Sequence, residues 1–145
     1  MRPTRAWWRR LRAPVAACAG ALTLLSIAAG AKACNACRED KIAATYDRQV
    51  IAAAARRGHT VIFAAVSGPI TPNDRARERR IGRRVASVPG VDPGSVRVSL
   101  EPAAVSFSCD LSRNPPAAFT SAINRALVLD GLSISIVQVG APGQP

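Results

Sequence analysis

Between Ile81 and Asp110 the hydrophobic period changes from a helical one to two, so this stretch has to fold as a helix followed by a hairpin. Ile81, Val85 and Val88 lay one apolar stripe along a helix and leave the arginines between them facing water. Pro89-Gly90 stops it. Beyond that turn Val96, Val98 and Leu100 alternate with Ser95, Arg97 and Ser99. After Glu101-Pro102, Val105, Phe107 and Cys109 alternate with Ala104, Ser106 and Ser108, and the two runs predict a half-buried hairpin. Asn114-Pro115 supplies a cap with proline at the first position of a helix, Phe119, Ile123 and Leu127 keep the four-residue spacing, and Gly131 ends it. Ser133 to Val139 is the last strand. Upstream, Thr60 to Val66 (TVIFAAV) is an apolar run that suits a strand buried on both faces. Thr71-Pro72-Asn73-Asp74 then opens the arginine-rich helix, Pro72 to Val88, with a capping-box-like signal. The predicted fold class is α+β, a ferredoxin-like βαββαβ sandwich in which two helices cover one face of a four-stranded sheet.

The runs V85-A-S-V-P-G-V91, V96-R-V-S-L, A104-V-S-F-S-C-D110 and G131-L-S-I-S-I-V together resemble the heavy-metal-associated domain family of small copper chaperones and mercury-binding periplasmic proteins. The resemblance covers the C-terminal half of the chain. It implies a ferredoxin-like fold and soft-metal binding. In that family the metal-binding Cys-x-x-Cys lies in the loop between the first strand and the first helix. Here that loop, Ser67 to Asp74, reads SGPITPND and has no cysteine, so no family ligand carries over to it.

The beginning of the chain is organised differently. Met1 to Arg12 holds five arginines and both tryptophans, Ala13 to Gly30 is uncharged and rich in Ala and Leu, and Ala31-Lys32-Ala33 is a small-residue site. This is the pattern of a secretory signal peptide, residues 1–33, cleaved before Cys34 or up to three residues earlier. It predicts an exported protein, periplasmic or secreted. The alternative is an uncleaved anchor, since the apolar stretch is at the lower limit for crossing a bilayer core of about 30 Å; a membrane would then be a partner only through that anchor. Losing Arg2, Arg5, Arg9, Arg10, Arg12 and Lys32 lowers the formal charge from +11 to +5, so most of the basicity belongs to targeting. What remains is one ordinary domain in size. It divides into residues 34–58, residues 59–139 as the ferredoxin-like domain, and a flexible tail at 140–145.

Cys34-Asn35-Ala36-Cys37 leads into Arg38-Glu39-Asp40-Lys41 and then Ile42, Tyr46, Val50 and Ala54 at four-residue spacing, ending at Arg56-Arg57-Gly58. The spacing predicts one extra N-terminal amphipathic helix, Arg38 to Arg57, with Tyr46 on its buried stripe. A helix entrance suits thiolates because its unpaired N–H groups and partial positive charge favour an anion. Cys34 and Cys37 are therefore the candidate metal ligands. Two thiolates close on one soft cation, Cu(I) or Hg(II), or on Zn(II) where other ligands complete four-coordination. The bland reading is a short-range disulfide that fixes the first turn in an oxidising compartment, and the spacing does not decide between the two.

Cys109 shares the face of Val105 and Phe107 and reads as a buried, inert thiol. His59 follows Gly58 at a turn and reads as a turn or surface residue. Arg75, Arg77, Arg79, Arg80, Arg83 and Arg84 make one helix strongly basic, which suits an acidic partner, a phosphate-rich surface or anionic lipid, or is simply a solvated face. No aromatics interleave with these charges, which argues against nucleic acid. No nucleophile elbow, glycine-rich phosphate loop or histidine cluster occurs, so no enzyme class is indicated beyond a weak case for thiol redox activity. The leading reading is an exported soft-metal-ion binding or trafficking protein that uses the Cys-x-x-Cys pair. The alternative is a non-enzymatic envelope module that contacts another protein and keeps Cys34–Cys37 as a structural disulfide. Thiol-disulfide exchange comes third, because its usual pattern places Cys-x-x-Cys after a strand.

Overall fold

The computed structural model describes residues 37–140. The elements are α1 (residues 37–45), α2 (Arg48–Arg56), β1 (Thr60–Ser67), α3 (Arg75–Ala86), β2 (Arg97–Leu100), β3 (Ala103–Cys109), α4 (Pro116–Leu127) and β4 (Ser133–Val139), with 3-10 turns at Pro93–Ser95 and Val128–Asp130. The strands form one antiparallel sheet in the order β2-β3-β1-β4. That order, with β1 and β3 in the middle and a helix after each of them, is the ferredoxin-like arrangement. The signal peptide at 1–33, Cys34 and residues 141–145 of the tail lie outside the described residues.

Alternation along the strands sorts the core into two clusters. Ile62, Ala64 and Val66 of β1 and Val105, Phe107 and Cys109 of β3 meet Ile81 and Val85 of α3 and Phe119, Ile123 and Leu127 of α4. Each large side chain fully withdrawn from water contributes about 1.5–3 kcal/mol, so this face holds most of the stability. The other face is also closed: Val61 and Phe63 pack with Ile42 of α1 and with Val50 and Ala54 of α2. The apolar TVIFAAV run is thus explained, because β1 is covered on both sides.

Several local expectations change. The N-terminal helix is not continuous: it breaks at Tyr46-Asp47, and Asp47 caps α2 by accepting hydrogen bonds from the N–H groups of Gln49 at 2.8 Å and Val50 at 3.2 Å. The break turns Tyr46 off the buried stripe, and it is 47% exposed. The basic helix starts later than the Thr71 signal indicates, at Arg75, because Asp74 caps it through Arg77 N–H at 2.9 Å. Pro115 rather than Asn114 occupies the cap of α4, and Pro116 is its first residue. The hairpin is buried more deeply than its polarity suggests. Ser106 and Ser108 face the α1–α2 side and are buried, and Ser106 Oγ donates to the Thr45 carbonyl at 2.8 Å. Gly131 does end the α4 segment, in the left-handed conformation that glycine adopts without strain.

Candidate functional site

Cys37 is exposed and stands at the start of the described part of α1. The neighbouring Arg38 reaches Gln138 on β4, with Nη2 3.5 Å from Oε1. This part of α1 therefore lies over the β4 side of the sheet, on the face opposite α3 and α4. The loop in which the resembled family holds its metal is elsewhere. It leaves β1 at Ser67, which pairs with Ser133 at the beginning of β4, while Gln138 pairs with Phe63; at ~3.3 Å per residue the two places are roughly 15 Å apart along the strand. That loop is also clamped. Gly68 has φ of 128°, and a Cβ there would collide with the Gly131 carbonyl and the Leu132 side chain. Asp74, at the far end of the loop, is committed to capping α3.

Among the described residues no group of three or more His, Cys, Asp or Glu side chains converges to hold a metal ion. Four-coordinate zinc would therefore have to draw ligands from outside them, whereas a soft cation held by two thiolates needs no third side chain. Cys109 supplies none: it is fully buried, and burial, reinforced by the Asp92 and Asp110 carboxylates, pushes its thiol up to about 12. An acidity that weak keeps the sulfur protonated and inert.

His59 is not a free turn residue. Its Nδ1 lies 2.8 Å from Asp92 Oδ2, and since an ionised carboxylate only accepts, Nδ1 is the donor. Ser108 Oγ donates to the same oxygen at 2.6 Å and Arg57 Nη2 lies 3.3 Å from it. Ser95 closes the node: its hydroxyl donates to the Asp92 carbonyl at 2.6 Å and accepts from Ser108 N–H at 2.8 Å. Burial acts to raise the Asp92 pKa, but the Ser108 and His59 hydrogen bonds and the His59 and Arg57 charges outweigh it and hold the carboxyl below its ordinary value. Ser108 is wholly buried while Arg57 and His59 stay partly open to solvent, and the node joins the end of α2 to the hairpin. Asp92 and its serines carry no local sequence signal, because their partners are up to 33 residues away.

The arginines of α3 are partly tied down. Asp130, after α4, receives Arg80 Nε on Oδ1 at 3.2 Å, faces Arg84 Nε at 3.7 Å and accepts Arg77 Nη2 on its backbone carbonyl at 3.1 Å. The 3.7 Å pair is at ion-pair distance but too long for a hydrogen bond, which leaves Asp130 Oδ2 without one. Among the described residues no helix is long and apolar enough to cross a membrane.

No protein-family model matches the chain. No curated protein matches it. Among solved structures the chain is similar to the entity described as PacS, N-terminal domain, from Synechocystis PCC6803, at 24% identity over 54% of this chain and 97% of that one, with a TM-score of 0.40. A likeness at that level carries no argument about activity, and the fold rests on the strand order described above.

Proposed function

We propose that the chain is a non-enzymatic exported protein that binds or passes on a soft metal ion through Cys34 and Cys37. The observation that carries the reading is the contrast between its sulfurs: Cys37 is open to solvent, while Cys109 is sealed in the core. Two thiolates three positions apart suit the linear coordination that Cu(I) and Hg(II) accept. The ion is cargo. An incoming donor thiolate adds to the two-coordinate ion, a three-coordinate intermediate forms, and one of the original sulfurs leaves, so that charge and ligand count balance at each step. Exposure of Cys37 is what admits the incoming sulfur.

The test is mass spectrometry of the protein purified from its export compartment, native and after thiol alkylation, together with Cu(I) competition on Cys37→Ser. Retained metal, or two alkylatable thiols at Cys34 and Cys37 with tight Cu(I) binding lost in the variant, supports metal handling. A Cys34–Cys37 disulfide without metal, or an affinity for Cu(I) unchanged by the substitution, overturns it in favour of an envelope interaction module with a structural disulfide. The same spectrum reads the cleavage site, and a mass that retains residues 1–33 would replace export by membrane anchoring.

A further inference from the structure

The charge of the molecule is not spread over it. Within α3 six arginines face one glutamate, so a helix of 12 residues carries an excess of five positive charges, equal to that of all residues from Cys34 onward. Arg80, Arg83, Arg84 and Ser87 line a shallow depression of about 340 Å³ on its outer surface. Asp130 holds Arg80 and Arg84 on one side of that depression, and among the described residues Arg79 and Arg83 have no acidic partner. Beside the arginines stand the most exposed large apolar side chains of the described residues: Val128 is 65% and Leu129 84% exposed, immediately before the Asp130 that the arginines grip. A turn that lifts a valine and a leucine into water next to a guanidinium field has the two components of an interfacial membrane contact.

We infer that the α3 face and the Val128–Leu129 turn form a docking surface for an anionic phospholipid bilayer. A lipid phosphate enters the depression between Arg80, Arg83 and Arg84, and Leu129 with Val128 enters the headgroup–acyl boundary. Guanidinium forks match phosphate oxygens in pairs, and basic residues near an anionic leaflet are attracted within a screening length. An acidic protein partner would use the arginines but leaves the apolar tip without a role, which is why the lipid surface is favoured. The inference is independent of the metal reading, since neither Cys34 nor Cys37 takes part.

Hydrogen exchange read by mass spectrometry on the full chain tests it, with vesicles of phosphatidylcholine alone or mixed with phosphatidylglycerol. The N-terminal segment, with its five arginines up to Arg12, also favours anionic vesicles, so what bears on this surface is protection local to residues 128–132 that substitutions on this face remove. Exchange at residues 128–132 should slow several-fold on the anionic vesicles alone. High salt, Arg79→Glu with Arg83→Glu, and Leu129→Ser should each abolish the slowing, while circular dichroism shows the exposed substitutions leaving the fold intact. Equal exchange on both vesicle types overturns the proposal. So does protection by inorganic phosphate without lipid, which would make this a free-anion site, and so does protection by a polyglutamate peptide but not by vesicles, which would make it a protein-docking face.

Discussion

Asp92 shows how much one residue can organise without being visible in the sequence. It lies in a Pro-Gly-flanked turn, and nothing in VDPGS distinguishes it from a solvated turn aspartate. In the fold it collects His59, Ser108 and Arg57 on one carboxylate oxygen at 2.8, 2.6 and 3.3 Å. His59 was legible as the residue that follows a turn; its partner was not, because periodicity describes neighbours in the chain and this bond spans 33 positions. Replacing Asp92 with Asn keeps the shape and removes the charge, and should cost about 2 kcal/mol at neutral pH, since hydrogen bonds to a charged group are the stronger kind. The folded-state pKa of Asp92 is the depressed one, so as pH falls the unfolded chain takes up the proton first. The contribution is therefore whole above the ordinary 3.8 and is lost as pH drops through the lower folded value. Urea unfolding of wild type and Asp92→Asn should give a gap that narrows in strong acid; a gap constant from neutral pH to pH below 3.8 would remove the charge from the explanation.

The elements that were readable are those whose signal is their own. The stripe of α3 and the Phe119-Ile123-Leu127 stripe of α4 follow from packing against one face, and both appear in place; β3 forms where its alternation puts it but is buried on both faces. The N-terminal helix was readable as amphipathic but not as broken, because aspartate at Asp47 is neutral evidence until its side chain is seen capping Gln49 and Val50 and reaching Arg97 at 2.8 Å. The serines of β3 misled for a physical reason. Small hydroxyls on a strand read as solvent-facing, yet Ser106 and Ser108 are buried with their hydrogen bonds satisfied by Thr45 and Asp92. What covers them is the α1–α2 layer, and that layer makes a measurable claim. Phe63 points to the side a bare ferredoxin-like sheet would leave open and is 1% exposed. Phe63→Ala should cost about 3–5 kcal/mol in urea unfolding, as a large-to-small change in a closed core does. A cost below about 1 kcal/mol, typical of a surface site, would mean that α1 and α2 do not close this face.

For the molecule as a whole, the two faces of the sheet divide the work between them. The α3–α4 side carries the larger core and, outside it, the arginine field; the α1–α2 side carries the exposed Cys37. The fold class was legible because the order of strand and helix signals from Thr60 to Val139 permits few topologies. The proposed metal ligands exist only as a spacing in the sequence, since Cys34 lies outside the described residues and Cys37 alone makes no site. Cys109 reports on whether the layers open together. It sits in β3, the strand between β1 and β2, with its Sγ 3.9 Å from the Thr60 carbonyl, and its thiol is pushed up to about 12. Under native conditions an alkylating agent should modify Cys37 quickly and Cys109 only through opening of the sheet, so the Cys109 rate should rise with urea in step with global unfolding. The raised thiol pKa also sets a sign in alkali. Between the ordinary 9.0 and about 12 the folded chain keeps a proton that the unfolded chain has released, so stability falls as pH rises through that window. Cys109→Ala should flatten that fall relative to wild type. Alkylation of Cys109 as fast as Cys37 in the absence of urea would show instead that β3 opens locally, and the sealed core that separates the two sulfurs would have to be abandoned.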